Sequence, residues 1–244
     1  FADDYMRTVE SLASSYNCGS IVIAADWGSS TFRQGIYPEY KGNRKEKYEK
    51  QTPAEAEAFQ KFIEEMERTL ALMDKRWCVL RFKGVEADDI AAYIVQNREQ
   101  YGIDHIWLMS TDRDWDLLIN PNVSRFSYIN RKETTHENWS KNHNYSVEEY
   151  ITIKCLMGDS GDNVPGILQI GAKLAERLVK VFGNAFDIYD AAPFSSRYKY
   201  MQSLNENIDQ LLTNMELMDL LAYCEEAIGS ENIVTIDNSL STYI

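Results

Sequence analysis

The chain has 244 residues, with 25 Lys and Arg against 38 Asp and Glu, so its formal net charge is −13. Hydrophobic residues make up 44% of it, which is enough to bury a sizeable core and excludes an intrinsically disordered protein. The acidic balance excludes binding to nucleic acid through overall charge, so any such contact must come from local basic patches. An apolar run of about 20 residues and a signal peptide are both absent from the sequence, so we expect a cytoplasmic protein without a membrane segment.

Metal sites built on sulfur or imidazole are also disfavoured. The four cysteines are far apart and form no C-x-x-C pair, and only three histidines occur. We therefore expect the cysteines to be buried small apolar residues. The chain begins at Phe1 rather than Met, which predicts that a preceding segment is missing.

The first 75 residues predict a helix, a strand, a basic segment and a long helix. Residues 5–16 have a helical composition, and residues 21–25 are an apolar, β-branched run typical of a buried strand. Residues 33–50 are polar and carry a net charge of +3. Thr52 then starts a capping box with Pro at the first helical position, and apolar residues at three- and four-residue spacing continue the helix to about residue 75.

Strands and helices alternate in the next part of the chain. Residues 77–82 and 106–110 predict strands, residues 84–102 predict a helix between them, and residues 123–129 predict a later strand that could lie at an edge. This alternation predicts a parallel α/β sheet with helices on both faces. From residue 146 onward the pattern is helical, so we divide the chain into an α/β domain, 1–145, and a helical region, 146–244.

Carboxylates follow three of the predicted strands. In an open parallel sheet these positions meet at the carboxyl edge, where ligands bind. The acids are Asp26 after the first strand, Glu86, Asp88 and Asp89 after the second, and Asp112 and Asp114 after the third. Clustered carboxylates repel one another unless cations lie among them, and hard oxygen ligands select Mg²⁺ or Mn²⁺. Two such ions can catalyse displacement at a phosphodiester.

Less specific interpretations exist for single parts of this pattern. The acids at 86, 88 and 89 also suit a helix N-terminus, where negative charge is favourable. Asp112, Asp114 and Asp116 resemble the start of an EF-hand loop, but Leu117 stands where that loop needs Gly and the distal Glu is missing, which disfavours a calcium sensor. Asp116 is then a helix cap or an outer residue of the site.

Residues 158–173, GDSGDNVPGILQIGAK, predict a tight hairpin between two helices. Backbone amides at the start of the second helix can bind phosphate without reading sequence, and Lys173, Arg177 and Lys180 follow on that helix. An ordinary helix–turn–helix corner is the alternative, but it leaves Asp159 and Asp162 without a role.

Four motifs together resemble the 5′-nuclease superfamily, and most closely the flap endonucleases of T-odd bacteriophages. They are YPEYKGNR (37–44), GVEADDIAAYIV (84–95), STDRDWD (110–116) and GDSGDNVPG with IGAK (158–173). The resemblance implies a nuclease that cleaves 5′ flaps and degrades DNA from the 5′ end with two Mg²⁺ ions, for which Mn²⁺ can substitute. It also implies a partner in branched DNA, a monomeric state, and the cytoplasm of a bacterial host if the protein is phage-encoded.

The same resemblance assigns roles to individual residues. Lys41 and Arg44 match the basic residues at the foot of the arch, where the scissile phosphate lies, and Arg33 and Tyr40 beside them are expected to contact DNA, Tyr40 by stacking on a base. The hairpin resembles a helix–hairpin–helix, with Gly166, Gly171, Lys173 and Arg177 as its DNA contacts and K⁺ as a possible ion. The implied metal ligands are Asp26, Glu86, Asp88, Asp89, Asp112, Asp114, Asp159 and Asp162.

Three departures from the family pattern bear on these assignments. The first strand of the family, with its metal-binding Asp, is missing ahead of Phe1. Gln169 replaces a hairpin Gly, which bears on K⁺ binding, and Arg113 replaces a small residue between Asp112 and Asp114.

Two other functions fit parts of the sequence. One is a branched-DNA-binding protein without catalysis, and the other is a PIN-type ribonuclease, which shares the acidic strand ends. We also expect residues 33–50 to be mobile without DNA, because they are polar and poor in apolar anchors.

Overall fold

The computed structural model describes residues 1–244, with the side chains of residues 45 and 46 excepted. The first half combines parallel strands with helices, as expected. The strands are β1 (Val22–Ala24), β2 (Cys78–Leu80), β3 (Ile106–Met109), β4 (Val123–Ser127) and β5 (Lys132–Thr134). The helices are α1 (Ala2–Ser15), α2 (Thr31–Ile36), α3 (Gly42–Glu49), α4 (Pro53–Met73), α5 (Ala87–Gln96) and α6 (His136–Asn142).

The strands pair in two groups rather than in one continuous sheet. β1 pairs with β2 in parallel, with Val22 opposite Cys78, and β3 pairs with β4 in parallel, with Ile106 opposite Val123. β5 extends the second group antiparallel to β4. The edge position considered for 123–129 is therefore wrong, because β4 lies between β3 and β5 and is buried along its whole length.

The basic segment 33–50 is largely helical, which its polar composition did not predict. α2 begins at an N-cap in which Ser30 accepts from the Arg33 N–H at 3.2 Å. Residues 42–49 form α3, and the predicted capping box at Thr52 is confirmed at the start of α4. The mobility expected for this segment remains a prediction.

The apolar stripe of α4 is buried only near its C-terminal end. Thr69 and Met73 are buried, whereas Phe59 and Phe62 are 38% and 53% exposed. The N-terminal half of α4 therefore projects from the core together with α3.

The second half is helical, as predicted. Its helices are α7 (Val147–Met157), α8 (Ala172–Phe182), α9 (Ala185–Asp190), α10 (Lys199–Glu206), α11 (Ile208–Met218), α12 (Leu220–Ile228) and α13 (Ser230–Tyr243). The predicted hairpin lies between α7 and α8, where two short strands, β6 (Gly158–Asp159) and β7 (Val164–Pro165), pair antiparallel. None of the described helices is long and apolar enough to span a bilayer.

The buried apolar residues form two large cores. One core is formed by α7 to α11 and includes Leu156 and Leu211. The other lies between the strands and α5, and it also contains Leu220, Ile236 and Leu240 from α12 and α13. The end of the chain thus returns to the α/β core, where α12 packs along α5.

Candidate metal and DNA site

A group of acids lies where the strand ends meet the hairpin. Glu86 is the N-cap of α5, with Asp88 in the first turn, and Asp114 begins the 3₁₀ turn that follows β3. Asp159 and Asp162 come from the hairpin between α7 and α8. These five acids line one small pocket, together with Arg33 and Tyr40, so sequence-distant carboxylates are brought together as predicted.

Asp26 and Asp112 complete the group at its exposed side. The Asp26 carboxylate accepts from the Ala87 N–H at 2.7 Å, which fixes it at the start of α5. Burial raises the pKa of Asp88 to about 7, and the neighbouring charges of Asp112, Glu86 and Asp26 add to the rise, while a hydrogen bond from Trp115 opposes it. The site therefore concentrates negative charge that a cation would relieve.

Lys41 lies between two of these carboxylates. Its ammonium is 2.5 Å from Glu86 and 3.6 Å from Asp162, and its side chain is only 10% exposed. Burial lowers the pKa of Lys41, but the charges of Glu86 and Asp162 outweigh this effect, so the pKa lies above its usual value. Lys41 therefore carries a positive charge between Glu86 and Asp162.

Lys154 occupies a matching position that sequence reasoning missed. It extends from α7, its ammonium donates to Asp114, and it lies 3.7 Å from Asp159. Burial lowers its pKa and Asp114 raises it, with a net rise. The available signal was a Lys five residues before Asp159, in an otherwise apolar stretch of the helix.

Arg33 and Asp89 do not take the roles predicted for them. The Arg33 guanidinium is 2% exposed and donates to both Asp89 oxygens at 2.7 Å, to Glu86 at 3.1 Å and to the Leu217 carbonyl at 2.7 Å. Asp89 is fully buried beneath it. The assignment of Arg33 as a DNA contact and of Asp89 as a metal ligand is thus contradicted, because each neutralises the other inside the protein.

Tyr40 is also unavailable for the predicted stacking on a base. It is 3% exposed, and its hydroxyl lies 3.1 Å from both Glu86 and Asp162. Its ring packs against the Lys41 ammonium, 5.1 Å from the ring centroid. Tyr40 therefore lies on the buried side of Lys41 and holds it and the two carboxylates in position.

The basic segment is fastened to the hairpin by hydrogen bonds. The Lys41 N–H donates to the Asp162 carbonyl at 2.8 Å, and the Asn163 amide donates to the Glu39 carbonyl at 2.8 Å. Arg44, which is half exposed, lies 3.0 Å from Asp162. These contacts place both predicted phosphate-binding cations, Lys41 and Arg44, at the rim of the acidic group.

The hairpin glycines differ in what they do. A Cβ at Gly166 would lie 2.0 Å from the Met157 carbonyl oxygen, so Gly166 allows the hairpin to pack against α7. Gly171 precedes α8 and has open space around it, as a contact to a phosphate requires. Lys173 and Arg177 are exposed on α8.

The two substituted positions keep the geometry of the site. Gln169 adopts the left-handed conformation with φ of 68°, so the turn forms without Gly at a backbone cost. Arg113 is exposed, and the Asp114 N–H still donates to Asp112 at 2.9 Å across it.

The donor set fits divalent cations of the Mg²⁺ class. The candidate ligands are all carboxylates, and neither His nor Cys lines the pocket, which is the chemistry that hard ions prefer. Among the described residues, no three His, Cys, Asp or Glu side chains are arranged as ligands of one metal ion. Lys41 and Lys154 each lie within 4 Å of two of these carboxylates.

The sequence is similar to nucleases over nearly its whole length. Residues 3–149 match the 5′–3′ exonuclease N-terminal resolvase-like domain, and residues 145–238 match the 5′–3′ exonuclease C-terminal SAM fold. The flap endonuclease of Escherichia phage T5 is 42% identical over 231 residues, which cover 94% of this chain and 79% of that protein. DNA polymerase I of Bacillus subtilis is 30% identical over 205 residues, 82% of this chain but only 22% of the polymerase.

Solved structures of the phage T5 protein share the fold. One contains metal ions and superposes with a TM-score of 0.93 at 40% identity, covering all of this chain and 91% of that one. Another is a complex with DNA and metal ions, with a TM-score of 0.92 at 39% identity, covering all of this chain and 89% of that one. The same α/β core, hairpin and helical region are therefore present in both proteins, and this chain belongs to the 5′–3′ exonuclease family.

Proposed function

We propose that this protein is a divalent-metal-dependent nuclease that cleaves DNA at 5′ flaps and degrades it in the 5′→3′ direction. The observation that carries the proposal is that the acidic strand ends and the hairpin between α7 and α8 meet in one pocket. Carboxylates at the strand ends meet the hairpin acids Asp159 and Asp162, and the basic segment is fastened across them by Lys41 and Arg44. The identity to the phage T5 flap endonuclease over 94% of the chain supports the same activity.

The residues of the chain divide into three roles in this reaction. When bound, two divalent ions would supply an activated nucleophile and stabilise the charge that develops on the phosphate. The carboxylates that would hold them are Asp26, Glu86, Asp88, Asp112, Asp114, Asp159 and Asp162. Lys41 and Arg44 would bind the scissile phosphate and stabilise its developing charge. Gly171, Lys173 and Arg177 would bind the duplex backbone without reading its sequence.

Cleavage of a 5′-flap DNA in Mg²⁺ tests the proposal. We expect a cut near the branch point in Mg²⁺ or Mn²⁺, no cut in EDTA, and loss of cutting in Asp114→Asn. Binding of the flap by that variant, measured separately, shows that only catalysis has been lost. Absence of cutting by the unmodified chain at every Mg²⁺ and Mn²⁺ concentration would overturn the proposal.

The same experiment decides between the two other functions. A branched-DNA-binding protein would bind the flap without hydrolysis, and Asp114→Asn would leave its behaviour unchanged. A PIN-type ribonuclease would prefer an RNA flap of the same shape to the DNA flap.

Five finer assignments belong to this proposal. We assign Mg²⁺ as the working ion, because compact octahedral oxygen sites suit it, and K⁺ at the hairpin, because Gln169 keeps the left-handed turn. We also propose a monomer acting in the cytoplasm of a bacterial host, where its DNA substrate is found. Finally, we propose that residues 1–145 form the catalytic region and residues 146–244 the DNA-binding region. In this division α12 and α13 join the two regions by packing into the α/β core.

A further inference from the structure

Trp27 is an exposed aromatic side chain directly beside the acidic group. Its side chain is 49% exposed, and it follows Asp26, whose carboxylate is fixed at the start of α5 by the Ala87 N–H. Single exposed aromatic residues are common and need no explanation. Trp27, however, is held by a fixed guanidinium against its ring and by a constrained backbone, which an incidental surface residue does not require.

The indole lies against a guanidinium that is itself held in place. The Arg81 Cζ is 5.2 Å from the Trp27 ring centroid. Both terminal nitrogens of Arg81 donate to the Glu67 carboxylate at 2.7 Å, and its Nε donates to the Asp26 carbonyl at 3.0 Å. A cation under the ring strengthens an aromatic platform, and the two-point ion pair keeps that cation fixed.

The backbone around Trp27 is equally constrained. The Gly84 N–H donates to the Trp27 carbonyl at 2.8 Å, and Gly28 follows with φ of 85°. Gly84 itself has φ of 75°, and a Cβ there would lie 2.1 Å from Thr31 Oγ1, so the two turns interlock. A side chain that is ordered before binding loses less entropy when a ligand stacks on it.

The charges around Trp27 favour a base over a phosphate as the ligand. The Arg81 donors are engaged by Glu67 and the Asp26 carbonyl, so this guanidinium is not offered to an anion. The phosphate-binding cations Lys41 and Arg44 lie at Glu86 and Asp162 instead. The phosphate would therefore bind near Glu86 and Asp162, whereas the base would lie near Asp26.

We propose that Trp27, backed by Arg81, is a stacking platform for an unpaired nucleobase of the DNA strand that enters the metal site. The proposal rests on the proposed nuclease function and assigns one of its substrate contacts. Every base presents a π-face, so the contact is indifferent to sequence, as a structure-specific nuclease needs. Trp27 would provide the stacking contact that was predicted for Tyr40, which is buried.

Stacking is tested by binding without turnover. Flap DNAs carrying 2-aminopurine at successive nucleotides around the branch are bound in EDTA to the unmodified chain, Trp27→Phe and Trp27→Ala. We expect one position to show a fluorescence change that Phe retains and Ala loses. We also expect Trp27→Ala to weaken binding by about 5- to 150-fold, the range for loss of one stacked base.

An abasic nucleotide separates stacking from a structural effect. Placed at the responsive position, it should bring the unmodified chain and Trp27→Ala to the same affinity. Tyr5→Ala is the control, because Tyr5 is 46% exposed on α1, outside the proposed DNA-binding region, and it should bind like the unmodified chain. If Trp27→Ala fails to fold, Trp27→Leu covers Arg81 without offering a π-face and replaces it.

Two results would overturn the stacking role alone. In one, Trp27→Ala binds and cuts as the unmodified chain does; in the other, its defect persists at every abasic position. In both cases the unmodified chain still cuts the flap in Mg²⁺, so the proposed function stands. If the unmodified chain neither binds nor cuts the flap, both proposals fail together.

Discussion

Cations meet carboxylates on both sides of the acidic group, but in different ways. On the buried side, the planar Arg33 guanidinium binds Asp89 with two parallel hydrogen bonds, and both side chains are almost fully enclosed. On the open side, Lys41 and Lys154 place single ammonium groups between acids that are 21% to 29% exposed, apart from Glu86. Guanidinium geometry fixes a carboxylate, whereas an ammonium on a flexible stem can leave it. We therefore expect the buried pair to stabilise the fold and the residues of the open side to act in the proposed reaction.

Removal of Arg33 should have the largest effect on stability. Arg33→Met leaves Asp89 buried without its cation, while Glu86 keeps only Lys41, and loss of one partner of a buried pair costs about 3–5 kcal/mol. Urea unfolding at pH 7.5 measures the loss, with Arg7→Met as control, because the Arg7–Asp4 pair is on the surface. A loss no larger than that of the control would contradict the structural role of Arg33.

Removal of Lys41 should instead affect the reaction. Lys41→Met deletes the charge that would meet the scissile phosphate, and loss of such a group typically lowers kcat by about 10²- to 10³-fold. Single-turnover cleavage in Mg²⁺ measures this, and urea unfolding in Mg²⁺ should show a smaller loss than Arg33→Met. Lys132→Met on the exposed strand β5 is the matched control. Unchanged cleavage by Lys41→Met would show that the open side of the acidic group does not act in the reaction.

Lys173 should contribute to binding alone. It is exposed on α8, beyond the acidic group, so Lys173→Gln should leave cleavage at saturating DNA unchanged. Loss of one phosphate contact reduces the slope of log K against log salt by about 0.9, whatever the DNA sequence. Binding at several salt concentrations gives the slope, and Lys199→Gln, exposed on α10, is the control. An unchanged slope would exclude this residue from the interface.

His143 should give the smallest effect, because burial only disfavours its charged form. It stacks on Trp139, 4.1 Å between centroids, and burial lowers its pKa, with a smaller opposing effect from Asp116. A lowered folded pKa means that the stabilising contribution is present above about pH 6.5 and is lost as the pH falls through the folded pKa.

The measurement compares two proteins at two pH values. Between pH 7.5 and 5.5, the unmodified chain should lose more unfolding free energy than His143→Gln, by less than about 1 kcal/mol because the ring is partly exposed to solvent. Parallel losses in the two proteins would show that His143 titrates alike in the folded and unfolded chain.

Local sequence patterns predicted most of the elements because their causes are local. The capping box at Thr52 and the apolar runs of β1 to β4 depend on near neighbours in the chain, and the structure confirms them. The short strand β5 was missed because three mostly exposed residues carry no apolar alternation. The helices of segment 33–50 were missed because their order comes from contacts with Glu86, Asp162 and the hairpin rather than from a buried apolar stripe.

The sequence by itself determined the chemistry of this protein: a set of acids at strand ends, two basic residues beside Tyr40, and a glycine-containing hairpin. Only the tertiary structure decided which acids are free to hold a metal and which aromatic ring can meet a base. Asp88 and Asp89 are neighbours in the chain, yet one faces the pocket and the other is held by Arg33. Adjacent residues of a helix point about 100° apart, so burial separates roles that the sequence lists side by side.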